Sequence, residues 1–168
     1  RNFDFPYGAL VPAQWYAPQA RRHMYEYGTT SRQFGAVAVA MRKHAILNPK
    51  AMMKTPMTID DHQNSLMIAD PFRLLDCSLQ SDGAAAIVVT SAERAGDFRH
   101  RPAYIMGVAE GHSDSPNYIP GRAVITEVGV KKAAPRALTM AGITPEDVDV
   151  AEIYDCFTWN VICQLEDL

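Results

Sequence analysis

Glu152-Ile153-Tyr154-Asp155-Cys156-Phe157-Thr158 is where the chain changes period. An alternating apolar run, Val148, Val150 and then Ile153, ends there. A run with helical spacing starts at once: Phe157, Val161, Ile162, Leu165, Leu168. The change from a period of two to one near 3.6 predicts a buried strand handing over to a helix. Tyr154 and Asp155 then fall at the carboxyl end of that strand. In open α/β sheets this is the crevice where ligands bind. Polar groups placed there hold substrate or do chemistry; the alternative is a tyrosine capping the core with its hydroxyl in water.

Upstream, residues 84–90 (Ala-Ala-Ala-Ile-Val-Val-Thr) form a continuous apolar run, expected of a strand buried on both faces. Residues 103–109 read as another strand, with Pro102 at a permitted place just before it. Helices are expected over 11–28, 32–47, 59–66 and from Val130 to a stop at Gly142. Val11, Trp15, Ala20, Met24 and Tyr27 mark one face of the first helix, and Pro18 argues against its being unbroken. Ser31 is the expected N-cap of the second and Thr58 of the third. Residues 50–57 and 110–126 read as loops. Alternation of strands and helices indicates an α/β layered fold.

The chain has 168 residues, 48% hydrophobic and 21% charged, which is the composition of an ordinary globular domain. Net charge is −3 with a pI near 5.9, and no basic patch suggests nucleic acid. No apolar run approaches the roughly 18 residues that span a bilayer. Arg1-Asn2-Phe3-Asp4 does not read as a signal peptide. Cys77, Cys156 and Cys163 lack metal-type spacing and read as reduced thiols of a cytoplasmic protein. The five histidines share no ligand spacing, so no metal site is expected. The absent initiating methionine and the unfinished helical pattern at Leu165–Leu168 suggest an internal piece of a longer protein.

The Tyr154-Asp155-Cys156-Phe157 segment resembles the active-site strand-to-helix junction of the thiolase superfamily, in the branch of sterol-carrier-protein-type thiolases and lipid-transfer-protein-type enzymes. That branch carries His-Asp-Cys-Phe or His-Asp-Ala-Phe here; this chain has Tyr154 in place of the histidine. The tyrosine is similar to that of a sub-branch resembling steroid side-chain-cleaving aldolases. The stretch Ser78-Leu79-Gln80-Ser81-Asp82-Gly83-Ala84-Ala85-Ala86 resembles the Ser-Gly-(Ile/Leu)-Asn-Asp-Gly-Ala-Ala motif of biosynthetic thiolases and the Thr-Ser-Asp-Gly-Ala-Ala motif of the sterol-carrier branch. Tyr27-Gly28-Thr29-Thr30, the helix after it and Asn48-Pro49 resemble the loop domain that covers coenzyme A in the same branch.

The resemblance implies part of a thiolase-like layered αβαβα fold. Residues 1–70 would be the helical loop domain, 71–100 the end of the N-terminal half and 101–168 the start of the C-terminal half. It implies retro-aldol carbon–carbon cleavage of a 3-hydroxyacyl-CoA with a steroid-like or lipid side chain. The alternatives are a thiolase-type acetyl-CoA acyltransferase and a non-catalytic acyl-CoA- or lipid-binding subunit. Coenzyme A would be part of the substrate, with no other cofactor. A homodimer and a small zinc-ribbon/OB-fold partner are implied, as is a further tyrosine or acid downstream.

Tyr154 is the candidate catalytic group. A phenol with a pKa near 10 is neutral at pH 7 and a good donor to an enolate oxygen. Asp155 is expected to orient local backbone, and Cys156 to be a packing residue. The resemblance places Ser78 near the pantetheine arm. Arg21, Arg22 and His23 form a basic cluster on the polar side of the first helix. That cluster is either a solvated face or a contact for the phosphates of a nucleotide-bearing substrate, for which Arg21 and Arg22 are the candidates.

Overall fold

A computed structural model describes residues 4–115 and 119–168. Arg1–Phe3, and residues 116–118 of the expected loop over 110–126, lie outside the described residues. The first helix, α1 (Pro12–Tyr27), opens with proline, whose missing N–H would have no helical partner there anyway. The Gln14 side chain closes that end by accepting from the backbone N–H of Leu10 at 2.8 Å and of Val11 at 3.1 Å. Contrary to expectation, α1 runs unbroken through Pro18. An interior proline costs about 3 kcal/mol in a helix. Here the helix is held by packing, because Ala13, Ala17, Gln19, Ala20 and His23 are all buried. The expected face is also corrected: Val11, Trp15 and Tyr27 are exposed. The small side chains at 13, 17 and 20 let the backbone approach the core, and this stripe outcompetes the larger residues.

Gly28, at φ 72°, ends α1 in the left-handed conformation that only glycine adopts cheaply. Helix α2 (Ser31–Leu47) is capped by Thr30, one residue before the expected Ser31. Thr30 Oγ1 accepts from Gln33 N–H, and Gln33 Oε1 accepts from Thr30 N–H at 2.6 Å, a reciprocal box. Thr58 and Asp61 make the same box for α3 (Ile59–Asn64), as expected for Thr58. A short antiparallel hairpin follows, β1 (Met67–Ala69) with β2 (Phe72–Arg73). Beyond it come α4 (Ala92–Ala95), α5 (Val130–Ala141, stopped by Gly142) and α6 (Thr158–Glu166).

The core lies between α1, α2, β2 and α6. Phe72 is fully buried and stacks on Phe157, with ring centroids 4.9 Å apart and planes 12° from parallel. Phe34 meets Phe72 at 6.2 Å, and Tyr16 meets Phe157 at 5.2 Å. Trp159 and Cys163 close the cluster from α6.

The three expected strands are where the structure differs most. Residues 84–90, 103–109 and 148–153 lie outside any hydrogen-bonded strand. Ile87 is 86% exposed, Ile105 73% and Val150 76%, so the burial read from their composition is absent. A strand exists through a ladder with its neighbour, and among the described residues these segments have none. The place of residues 103–111 against a helix is nevertheless set. A methyl group at Gly107 would collide with the backbone carbonyl of Ala137 on α5, and one at Gly111 with the carbonyl of Gly129. Gly107→Ala is therefore expected to destabilise by about 1–3 kcal/mol, the usual cost of overpacking. Thermal denaturation reads this; Gly96→Ala, with nothing within 4 Å of the added carbon, is the control and should not lower Tm. Among the described residues, no helix is long and apolar enough to cross a membrane.

Candidate active site

The junction of residues 153–158 is fixed from two sides. Cys77 and Phe157 form an isolated antiparallel bridge, and Ser78 N–H donates to the Cys156 carbonyl at 3.0 Å. From α6, Gln164 Nε2 donates to the Tyr154 carbonyl at 2.7 Å. Phe157 is the N-cap, so α6 begins at Thr158 and Cys156 lies just before it. The two stretches that stood out in the sequence, around Ser78 and around Tyr154, are thus neighbours in space.

Beside them lies a cavity of about 550 Å³. One wall is apolar and rich in sulfur: Val37 and Met41 of α2, then Met52, Met53 and Met57 of the following loop. Arg42 Nη1 pins that loop by donating to the Thr55 carbonyl at 2.7 Å. The lining also carries polar groups: Asp76, Ser78, Ser81, Asp155 and Thr158. Ser78 and Asp155 therefore line one space. Tyr154 is one residue from that lining and 70% exposed. Its phenol lies beside the Cys156 thiol. That neighbour disfavours a second negative charge and pushes the Tyr154 pKa above its usual 10. The phenol is therefore protonated at neutral pH.

Arg21 and Arg22 are apart from this cavity's lining. Arg21 pairs with Asp70 across to the hairpin, and Arg22 pairs with Glu26 one turn on and lies 5.8 Å from the Tyr25 ring. His23 does not share their surface. It is 1% exposed, hydrogen-bonded to Thr29 Oγ1 at 2.8 Å and to Glu166 Oε2 at 2.7 Å. The expected basic cluster is therefore two exposed arginines and one buried histidine. The α1 stripe of small residues carries position 23 inward.

Two features escaped the sequence reading. Tyr16 brings a second phenol close to Tyr154 and Cys156. Burial first, then those two neighbours, raises its pKa, with Arg122 opposing. The other is Asp76, 2% exposed, whose Oδ1 accepts from His62 Nε2 at 2.7 Å and from Thr158 Oγ1 at 2.5 Å. A lone acid amid Phe72, Leu74, Leu75 and Cys77 was the signal available for it.

The cysteines are held as thiols. Burial pushes Cys163 up to about 12 and Cys77 up to about 11, and raises Cys156 as well. A nucleophilic cysteine needs the opposite shift, so Cys156 packs, as expected. For Cys163, the proton is held more tightly folded than unfolded. Its stabilising contribution is intact below the unfolded thiol's pKa near 9 and is lost as pH climbs toward about 12. Urea midpoints should therefore decline through that window, and Cys163→Ala should flatten the decline.

The thiolase C-terminal domain-like family matches residues 111–168. The chain is 46% identical to a steroid side-chain-cleaving aldolase of Thermomonospora curvata, over 97% of this chain and 43% of that protein. It is 47% identical to a 17-hydroxy-3-oxo-4-pregnene-20-carboxyl-CoA lyase of Mycobacterium tuberculosis, over 99% of this chain and 44% of that one. Among solved structures, an Ltp2-ChsH2(DUF35) aldolase superposes with a TM-score of 0.93 at 44% identity, covering 99% of this chain and 44% of that chain. The chain thus spans less than half the length of the relatives it matches. Its α/β fold is thiolase-like and partial, and the chain belongs to the thiolase superfamily, in the branch shared with steroid side-chain-cleaving aldolases.

Proposed function

We propose that the intact protein cleaves a carbon–carbon bond of a 3-hydroxyacyl-CoA by retro-aldol chemistry, with a bulky steroid-like or lipid group on the departing carbonyl fragment. The observation that supports this reading is a protonated phenol, Tyr154, next in sequence to Asp155, which lines the cavity with Ser78; the sterol-carrier branch carries an imidazole at the tyrosine's position. Two relatives whose names state aldolase or lyase activity, each above 45% identity, support it.

In the reaction the β-hydroxyl loses its proton and the Cα–Cβ bond breaks. The electron pair moves into the thioester, leaving an enolate that is reprotonated at Cα. The products are a carbonyl compound and a shortened acyl-CoA. Tyr154 supplies a hydrogen bond to the enolate oxygen as charge develops there. Coenzyme A enters as part of the substrate. Ser78 faces its pantetheine arm, and the apolar wall of Met41, Met52, Met53 and Met57 meets carbon rather than charge. Arg21 and Arg22 take the phosphates by exchanging their present carboxylate partners, an exchange that weak surface ion pairs permit. A homodimer, a small zinc-ribbon/OB-fold partner and a cytoplasmic setting complete the proposal.

The stoichiometry of coenzyme A tests it. Retro-aldol cleavage needs no free coenzyme A, whereas thiolytic cleavage consumes one per bond broken. The intact protein should release a ketone or aldehyde from a 3-hydroxyacyl-CoA at a rate independent of added coenzyme A. Inertness toward the 3-hydroxyacyl-CoA, together with cleavage of the corresponding 3-oxoacyl-CoA that requires free coenzyme A, would establish acyl transfer instead. Binding without cleavage under both conditions would leave a lipid- or acyl-CoA-binding subunit.

A further inference from the structure

Asp76 is buried where α2, α3, the hairpin and the junction meet. Its carboxylate accepts three hydrogen bonds. His62 Nε2 on α3 donates at 2.7 Å, Thr158 Oγ1 on α6 at 2.5 Å, and the Arg73 backbone N–H at 2.7 Å to the other oxygen. His62 is itself fully buried, and its Nδ1 lies 3.0 Å from Gln63 Nε2. That amide donates to Nδ1, so Nε2 carries the proton that goes to Asp76. The order of the groups excludes a nucleophile. In a serine-type triad the imidazole stands between the carboxylate and the hydroxyl; here the carboxylate stands between, and the histidine cannot take the threonine proton.

What the arrangement does is join elements. His62 carries α3, which packs on α2, the cavity's apolar wall. Thr158 is the first residue of α6 and lines the cavity with Asp155. Two residues past Asp76, Ser78 N–H holds the Cys156 carbonyl. We propose that Asp76 is a positioning residue: with His62 and Thr158 it sets the place of the Tyr154–Asp155 junction against the cavity wall. The proposal rests on the reading of that junction as the reacting site. A buried carboxylate with every donor in place has one geometry, whereas loss of a single donor leaves it undersatisfied and free to shift.

The test uses the intact protein with Thr158→Val, which keeps the shape of the side chain and removes its donor, and Thr158→Ser, which keeps the donor. A junction displaced by a fraction of an ångström to one ångström reacts more slowly without losing substrate affinity. Thr158→Val should lower kcat by about 10- to 100-fold, with KM changed by less than about threefold. Thr158→Ser should restore kcat. If Thr158→Val lowers only Tm and leaves kcat intact, or if Thr158→Ser fails to restore kcat, the assignment is wrong. Should Thr158→Val fail to fold, His62→Leu against His62→Gln asks the same question from α3, with the glutamine keeping a donor toward Asp76. Tyr154→Phe, assayed beside these, separates the two claims. Full activity in Tyr154→Phe with a kcat loss in Thr158→Val removes the role of Tyr154 and retains that of Asp76. The converse result removes the role of Asp76 alone.

Discussion

Tyr154→Phe in the intact protein is expected to slow carbon–carbon cleavage by about 10²–10³, the usual cost of removing one oxyanion donor. KM for the hydroxyacyl-CoA should stay close to that of the unaltered protein. In the proposed reaction the phenol meets charge that exists only as the bond breaks, so its loss would be felt in kcat and not in ground-state binding. The substitution is clean in this structure. Tyr154 is 70% exposed and its backbone is held by Gln164 rather than by its ring, so removing the hydroxyl alters no packing. The pH dependence follows from the same group. Protonated phenol is the competent form, and the Cys156 thiol holds its pKa above 10. The Tyr154-dependent part of the rate should be flat through neutrality and decline only at alkaline pH. Tyr154→His places an imidazole where the sterol-carrier branch has one, and should not restore cleavage, because donor reach and charge both change. A normal cleavage rate in Tyr154→Phe would refute the assignment.

The junction was legible in the sequence because its signal is local. A period of two gives way to 3.6 within a few residues, and α6 does begin at Thr158, within one residue of the expected Phe157. Helix limits at Thr58, Gly28 and Gly142 were legible for the same reason, since a cap is a property of adjacent residues. Apart from the α2 cap, which is Thr30 and not the expected Ser31, the misreadings are non-local. Which side of α1 faces inward is decided by partners on α6 and β2, distant in sequence. Nothing in Arg21-Arg22-His23 says that the third residue turns away from the other two. His62, Asp76 and Thr158 are spread over nearly a hundred positions and meet only through the fold. The apolar runs over 84–90, 103–109 and 148–153 show the limit from the other direction. Composition marks them as buried strands, yet they are exposed here: a ladder takes two strands, and the partner is not encoded in either one. The glycines at 107 and 111 show which face meets α5, and that contact is present.

Phe72→Ala should be the most damaging core substitution, costing about 3–5 kcal/mol. Phe72 has no exposed surface and sits between two rings, stacked on Phe157 at 4.9 Å and tilted against Phe34 at 6.2 Å. Truncation removes the transfer free energy of the ring and leaves a void that α2 and α6 cannot both close. A domain of this kind is stable by only about 5–15 kcal/mol, so a large share of the total goes. Phe72→Leu, which fills most of the space, should cost far less. The consequence reaches the chemistry through Phe157. Its ring lies on Phe72, its backbone bridges Cys77, and it caps the helix that starts at Thr158. Because the two rings share one contact, Phe72→Ala and Phe157→Ala together should cost less than the sum of each alone, by about 0.5–3 kcal/mol. Urea denaturation of the four-member cycle measures this coupling. Strict additivity would show that the stacked pair does not tie the hairpin to the junction, and amide exchange at residues 154–157 should then be unchanged in Phe72→Ala.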